Sequence, residues 1–212
     1  GGFISLEMAE NLVQMGVSVI IVEQAKQLLT TLDADMACFV HAKMRAHGIE
    51  VRLGKKVAGF SRKGDLVQTL LDDGESLCSD MVLLAIGVTP DTHLAKDAGI
   101  KLGVRESIVV NERMETSIPD IYAVGDAVEV THFVTGQKSL LSLAGPANKQ
   151  GRIAADNICG GNSRFSGSQG SSILKLFDLT AASTGINERT AQTAGIDYDK
   201  VVLFPVSHAT YY

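Results

Sequence analysis

The sequence predicts an α/β fold with Rossmann-like units, and three observations predict it. Gly1-Gly2 opens onto an amphipathic segment, followed by the apolar, β-branched run 17–22 with Glu23 at its carboxyl tip. A second apolar run, 80–86, ends in Gly87. A third, 121–124, ends in the pair Gly125-Asp126. Continuous apolar runs of this length read as buried strands of parallel sheets, and open α/β sheets bind ligands at the carboxyl ends of such strands.

Each element follows from its own signal. Leu6, Ala9, Leu12 and Val13 recur at helical spacing, so a first helix runs to about Met15 and Gly16 closes it. Asp33 begins a second helix that reaches about His47 and is closed by Gly48. Residues 49–53, 57–61, 66–71 and 77–85 read as strands, with Asp73-Gly74 as a hairpin turn. A short helix over 92–98 and two short strands precede Gly125. Pro146 suits the first turn of a helix that ends near Cys159. Residues 160–170, rich in Gly and Ser, read as a linker. Strands over 173–177, 181–186 and 201–206 and a helix over 188–194 begin an α+β unit.

The chain has 212 residues, 45% hydrophobic and 20% charged, the balance of a globular protein with a real core. A net charge of -5 argues against a nucleic-acid partner held by phosphate contacts. No apolar run approaches the ~20 residues that span a bilayer, so no membrane partner is expected. Residue 1 is not Met, and the native start is expected upstream. Cys38, Cys78 and Cys159 are scattered without a CxxC, which fits cytoplasmic thiols packed as small buried side chains. The five histidines lack metal-ligand spacing, and no metal is expected.

The amino end carries part of a dinucleotide fingerprint. Gly2 stands where the second glycine of GxGxxG approaches a pyrophosphate, and Ser5 stands at the third; the first glycine and its strand are absent, which reads as truncation. The N–H groups of Gly1 and Gly2 would meet the pyrophosphate at a helix start, where the dipole favours an anion. Glu23 would accept hydrogen bonds from the adenosine ribose and repel a 2′-phosphate. Gln24 and Lys26 follow it rather than Arg, which favours NADH over NADPH, with Lys26 softening the repulsion. Gly125 lets the backbone turn closely past a bound group, and Asp126 presents a carboxylate there.

Together these segments resemble the pyridine nucleotide–disulfide oxidoreductase family, in particular its branch of coenzyme A-disulfide reductases, NADH oxidases and persulfide reductases. The branch-specific pieces are residues 143–152 (Leu-Ala-Gly-Pro-Ala-Asn-Lys-Gln-Gly-Arg), residues 183–188 (Ser-Thr-Gly-Ile-Asn-Glu) and Ser207-His208-Ala209 with Tyr211-Tyr212. The resemblance implies a partial two-dinucleotide-binding flavoprotein fold. Residues 1–87 would be an NAD-binding domain without its first strand, 88–162 the carboxyl part of an FAD-binding domain, and 163–212 the start of a dimerisation domain. It implies FAD and NADH as cofactors and a homodimer in the full-length parent. It also implies passage of hydride from NADH through flavin to a disulfide, a persulfide or polysulfide, or oxygen. The branch's redox cysteine lies in a segment this chain lacks, and Cys38, Cys78 and Cys159 do not match it.

The resemblance also implies residue roles. Ile4 would lie near the nicotinamide, although it suits a core equally. Glu7 would face the nicotinamide pocket, or simply stabilise the first helical turn. Gly87 would allow close approach to the nucleotides, or make a plain turn. Asp126 would accept a hydrogen bond from an FAD ribitol hydroxyl. Ala144, Pro146, Ala147 and Asn148 would set a helix start near the flavin pyrimidine edge, where N–H groups stabilise negative charge. Tyr211 and Tyr212 would reach the partner subunit's cysteine, or be a loose chain end. The alternative from another class is a stand-alone, non-catalytic nucleotide-binding module.

Overall fold

Two glycines frame the first helix. In the computed structural model, which describes residues 1–206 and Tyr211, helix α1 (Phe3–Gln14) starts directly after Gly2. It ends where Gly16 takes φ +81, a left-handed backbone that favours glycine. There the N–H of Gly16 donates to the Val13 carbonyl at 2.9 Å and that of Val17 to Leu12 at 3.0 Å, so the helix's last carbonyls are satisfied. Strand β1 (Ile20–Glu23) follows, then α2 (Ala34–Ala46), which Gly48 closes in the same way, then β2 (Glu50–Leu53). β1 and β2 pair in parallel, with Ile21 opposite Val51.

Three antiparallel strands come next, in the order β3 (Val57–Lys63), β4 (Leu66–Leu71), β5 (Ser76–Ser79), with the predicted Asp73-Gly74 turn joining the last two. Helix α3 (His93–Asp97), the hairpin β6 (Val130–Thr131) and β7 (Lys138–Ser139), and α4 (Ala144–Ile158) make up the middle of the chain. A second hairpin, β8 (Ser172–Leu176) and β9 (Leu179–Ser183), and α5 (Glu188–Ala194) complete the elements.

Two cores hold these pieces. The first joins Leu6 and Ala9 of α1, Ile21 of β1, Leu28, Leu29, Val40 and Met44 of α2, and Ile49 to Leu174 and Leu176 of β8. Burying each of those two leucines contributes roughly 1.5–3 kcal/mol. The β8–β9 hairpin is therefore packed onto the amino-terminal α/β unit. The contact is also polar: Phe177 N–H donates to Glu10 Oε1 at 3.0 Å, and Lys43 meets Asp178 at 2.6 Å. The His47 ring stacks on Phe177 with centroids 3.6 Å apart. The second core gathers Val110, Met114, Val128, Val130, Ala154 and Phe165.

Several expectations need correction. The run 17–22 becomes a strand only from Ile20, which is 41% exposed. The predicted strand 77–85 stops at Ser79, and residues 81–86 are unpaired, with Ile86 88% exposed. Residues 121–124 form one isolated bridge, Glu115 to Tyr122, and 201–206 form no strand. A strand is completed by neighbours that take its N–H and C=O groups; among the described residues 81–86 and 201–206 have none, and 121–123 meet only the short segment 114–116. The expected linker is pinned instead: Phe165 is buried, and a Cβ on Gly167 would run into the Thr131 carbonyl oxygen.

The cysteines are exposed rather than buried. Cys38 sits on the outer face of α2, whose inner face is Ala37, Val40 and Met44. Cys78 alternates outward on β5, and Cys159 caps α4.

Candidate functional site

The first cluster forms where α1 begins. The first N–H groups of a helix have no intrahelical acceptor. Those of Gly2, Phe3, Ile4 and Ser5 find none among the described residues, and no side chain caps the helix. A Cβ at Gly2 would meet nothing within 4 Å, so this main chain is open to close approach. Aligned peptide dipoles make such an end favourable for an anion.

Glu23 lies beside this helix start. The Gly1 nitrogen is 2.8 Å from Glu23 Oε2, and a Cβ on Gly1 would stand 2.6 Å from the same oxygen. A side chain there would displace Glu23 and Leu28, so glycine keeps this carboxylate close to the main chain, and the open helix donors begin at Gly2. Glu23 Oε1 accepts the Ala25 N–H at 2.7 Å. Burial pushes the Glu23 carboxyl up, while the backbone hydrogen bonds from Ala25 and Gln24 pull it down. Glu23 is therefore an ionised acceptor at neutral pH.

Ile4 and Glu7, three residues apart, share the solvent face of α1. Ile4 is 59% exposed, so it is not a core residue. Glu7 lies in the second turn, because the helix starts at Phe3, and the first turn holds no acidic residue. Stabilisation of the helix end is thus not its role.

The sequence reading missed the loop after Glu23. Leu28 N–H donates to His41 Nε2 at 2.9 Å, and Leu29 N–H donates to the Gly1 carbonyl at 2.9 Å. Leu29 takes φ +46, unusual for a residue with a side chain. Burial, and secondarily the nearby Arg45 charge, push the His41 imidazole below its ordinary value. A histidine on an amphipathic helix carries no local mark of this bond.

The second cluster is the Gly125-Asp126 turn. Gly125 takes φ +90, and its N–H donates to Gln150 Oε1 at 2.8 Å. Gln150, 1% exposed, lies on α4 and ties the turn to that helix. The one sequence signal for it is its place on a stripe with buried Ala154 and Asn157, at i+4 and i+7. Asp126 is exposed, and among the described residues its carboxylate has no hydrogen-bond partner. Helix α4 starts at Ala144 without a capping side chain; Pro146 and Ala147 are half-buried, and Asn148 Nδ2 bonds the Ala144 carbonyl at 3.2 Å. Its start is therefore open as well.

Gly87 takes φ +97 between the exposed Ile86 and Val88, and belongs to neither cluster. Tyr211 is exposed. The expectations for Ser207, His208, Ala209 and Tyr212 lie outside the described residues. Among the described residues no three His, Cys, Asp or Glu side chains form a metal-holding group, and no helix is long and apolar enough to cross a membrane.

An acidic residue ending a strand beside a glycine-led helix start is the arrangement by which open α/β folds hold dinucleotides, and here a Gly-Asp turn tied to a second open helix start follows it. The chain belongs to the pyridine nucleotide-disulphide oxidoreductase family, which matches residues 1–151. It is 42% identical over 191 residues to an NADH oxidase of Methanocaldococcus jannaschii, covering 90% of this chain and 42% of that protein. Among solved structures, the reduced CoADR-RHD of Bacillus anthracis superposes with a TM-score of 0.96 at 45% identity, over 100% of this chain and 38% of that one. The NAD-dependent persulfide reductase from A. fulgidus gives 0.95 at 39% identity, over 100% and 39%. The chain spans less than half the length of each.

Proposed function

We propose that this chain is part of an FAD-dependent oxidoreductase that takes reducing equivalents from NADH and delivers them to a disulfide, a persulfide or polysulfide, or oxygen. The observation that carries the reading is the Glu23 carboxylate at the tip of β1, packed against Gly1 beside the open start of α1. Bound NADH and FAD supply the hydride and electron transfer. The residues described here hold and orient those groups.

Gly2 and the first N–H groups of α1 bind the pyrophosphate, and Gly1 gives Glu23 room to reach the adenosine ribose. The Glu23 charge repels a 2′-phosphate, so NADH is preferred over NADPH. Ile4 and Glu7, exposed on one face, line the nicotinamide side. Asp126 holds the FAD ribitol, Gly125 and Gly87 permit close approach, and the α4 start at Ala144, Pro146, Ala147 and Asn148 faces the flavin pyrimidine edge. Tyr211 and Tyr212 serve the acceptor side across a homodimer. In this scheme residues 1–87 bind NAD, 88–162 complete the FAD site and 163–212 begin the dimerisation unit, in a cytoplasmic enzyme.

The relatives' names support the choice of acceptors, since one is an NADH oxidase and another a persulfide reductase. The test is NADH consumption by the polypeptide as its cells make it, with coenzyme A disulfide, polysulfide and oxygen offered in turn. Turnover with at least one acceptor is expected. Binding of NADH with no turnover on any of them would leave a nucleotide-binding module instead.

A further inference from the structure

We infer that His41, outside every recognised motif, is a positioning residue for the adenosine half of the bound dinucleotide. It acts through the loop that follows Glu23. This rests on the NADH-binding reading of the Gly1, Gly2 and Glu23 cluster.

The loop over residues 24–32 leaves β1 at its carboxyl end, where adenosine is held in folds of this kind. Its far end is held by the Leu32 N–H on the Leu29 carbonyl at 2.9 Å and by Gln27 Nε2 on the Leu32 carbonyl at 2.9 Å, and three further bonds face Gly1 and Glu23. Ala25 N–H donates to Glu23 Oε1 at 2.7 Å, which orients the carboxylate meant for the ribose. Leu28 N–H donates to His41 Nε2 at 2.9 Å. Leu29, held at φ +46, donates its N–H to the Gly1 carbonyl at 2.9 Å. The Leu28 side chain also faces Gly1, with Cδ2 3.0 Å from where a Cβ on Gly1 would stand.

These bonds make one chain of dependence. Leu28 and Leu29 are fully buried, so the Leu28 N–H cannot turn to water if its acceptor is lost. A non-glycine residue in the left-handed region persists only where its surroundings over-determine it. His41 supplies the restraint on the Gly1 side of Leu29, from α2 and one residue away, while Leu32 N–H holds the Leu29 carbonyl on the other side. Without it the Leu28–Leu29 segment relaxes, the Leu29 to Gly1 bond is lost, and Gly1 moves relative to Glu23. The imidazole acts as acceptor at Nε2, so His41 must be neutral there. It touches no ligand itself.

The position of the loop makes the effect selective. It borders the ribose-binding carboxylate and the first glycine, whereas Ile4 and Glu7 lie on the exposed face of α1. Loss of the His41 bond should weaken whatever carries adenosine and spare the nicotinamide end.

The experiment titrates the chain with NADH, with ADP-ribose and with reduced nicotinamide mononucleotide, following amide shifts by NMR. Three forms are compared: the parent sequence, His41→Leu, and His41→Gln, whose side-chain carbonyl can still accept from Leu28. For H41L the dissociation constants of NADH and ADP-ribose are expected to rise about ten-fold, the scale of one lost buried acceptor. That of the mononucleotide should be unchanged, and H41Q should recover most of the loss. If H41L does not fold, His41→Phe keeps a planar ring without an acceptor and serves in its place. Unchanged ADP-ribose affinity in a folded, acceptor-less variant overturns the inference, as does an equal loss for the mononucleotide. If the parent sequence binds none of the three, the nucleotide-binding reading itself falls, and this inference falls with it.

Discussion

The side-chain carbonyl of Gln150 accepts the backbone N–H of Gly125 at 2.8 Å, and this single bond fastens the Gly-Asp turn to helix α4. The Gln150 side chain is buried, so its carbonyl cannot exchange this partner for solvent without cost. Gln150→Leu keeps a similar volume and removes the acceptor. It is expected to cost about 1–3 kcal/mol in urea unfolding. An unchanged unfolding midpoint would mean that the turn holds its shape without α4.

Asp126 makes the opposite prediction. Its carboxylate is exposed and has no partner among the described residues, so the fold does not depend on it. Asp126→Asn should leave stability within about 0.5 kcal/mol. In the polypeptide as its cells make it, the same change should weaken flavin retention during dialysis about ten-fold, the scale of one charge-assisted hydrogen bond. A drop in stability with full flavin retention would assign Asp126 to the fold instead.

His41 should give stability a defined pH dependence. Burial and Arg45 lower its folded-state value, so protonation is harder in the folded chain than in the unfolded one. Its contribution is fully present above the unfolded value, about 6.5, and is lost as pH falls through the lower folded value. Urea midpoints measured from pH 8 to pH 5 should fall more steeply for the parent chain than for H41Q. Parallel curves would contradict this.

The β8–β9 hairpin is held to the amino-terminal unit by apolar burial, with surface charges as an addition. Leu176 is fully buried in the shared core, and Leu176→Ala should cost about 2–5 kcal/mol. Lys200 meets Asp35 at 2.7 Å and also pairs with Glu188, but all three are solvent-facing. Lys200→Met should therefore shift the unfolding midpoint by less than the scatter of the measurement, with any effect vanishing in salt. A larger loss for K200M than for L176A would reverse this ranking.

The three thiols should all react with an aromatic disulfide reagent in the native chain, because Cys38, Cys78 and Cys159 are exposed. Reaction of fewer than three before urea is added would count against the outward facing of α2 and β5.

What was legible in the sequence divides along physical lines. Helices α1 and α2 and their glycine closures were readable, because capping and 3.6-residue periodicity are local. The hairpin turn at Asp73-Gly74 was readable for the same reason. Residues 81–86 and 121–124 read as strands from their apolarity, yet a strand is a relation between segments, and the described residues offer these runs no sheet. Glu23 and Gly1 were matched by spacing, and the structure brings them to 2.8 Å. Gln150 and His41 were not found, because each acts through one bond to a residue 25 or 13 positions away. Neither bond leaves a periodic or local mark. The packing of Leu174 and Leu176 onto α1 was hidden likewise, since β8 shows only that it has an apolar face and not what covers it.

The most direct test of the central claim is anaerobic addition of NADH, and separately NADPH, to the flavin-loaded polypeptide as its cells make it. The readout is loss of the yellow absorbance of oxidised flavin. The account predicts prompt bleaching by NADH, slower bleaching by NADPH, and a narrowed difference when Glu23→Gln removes the charge. Flavin that NADH leaves oxidised, or a preference untouched by E23Q, would contradict it.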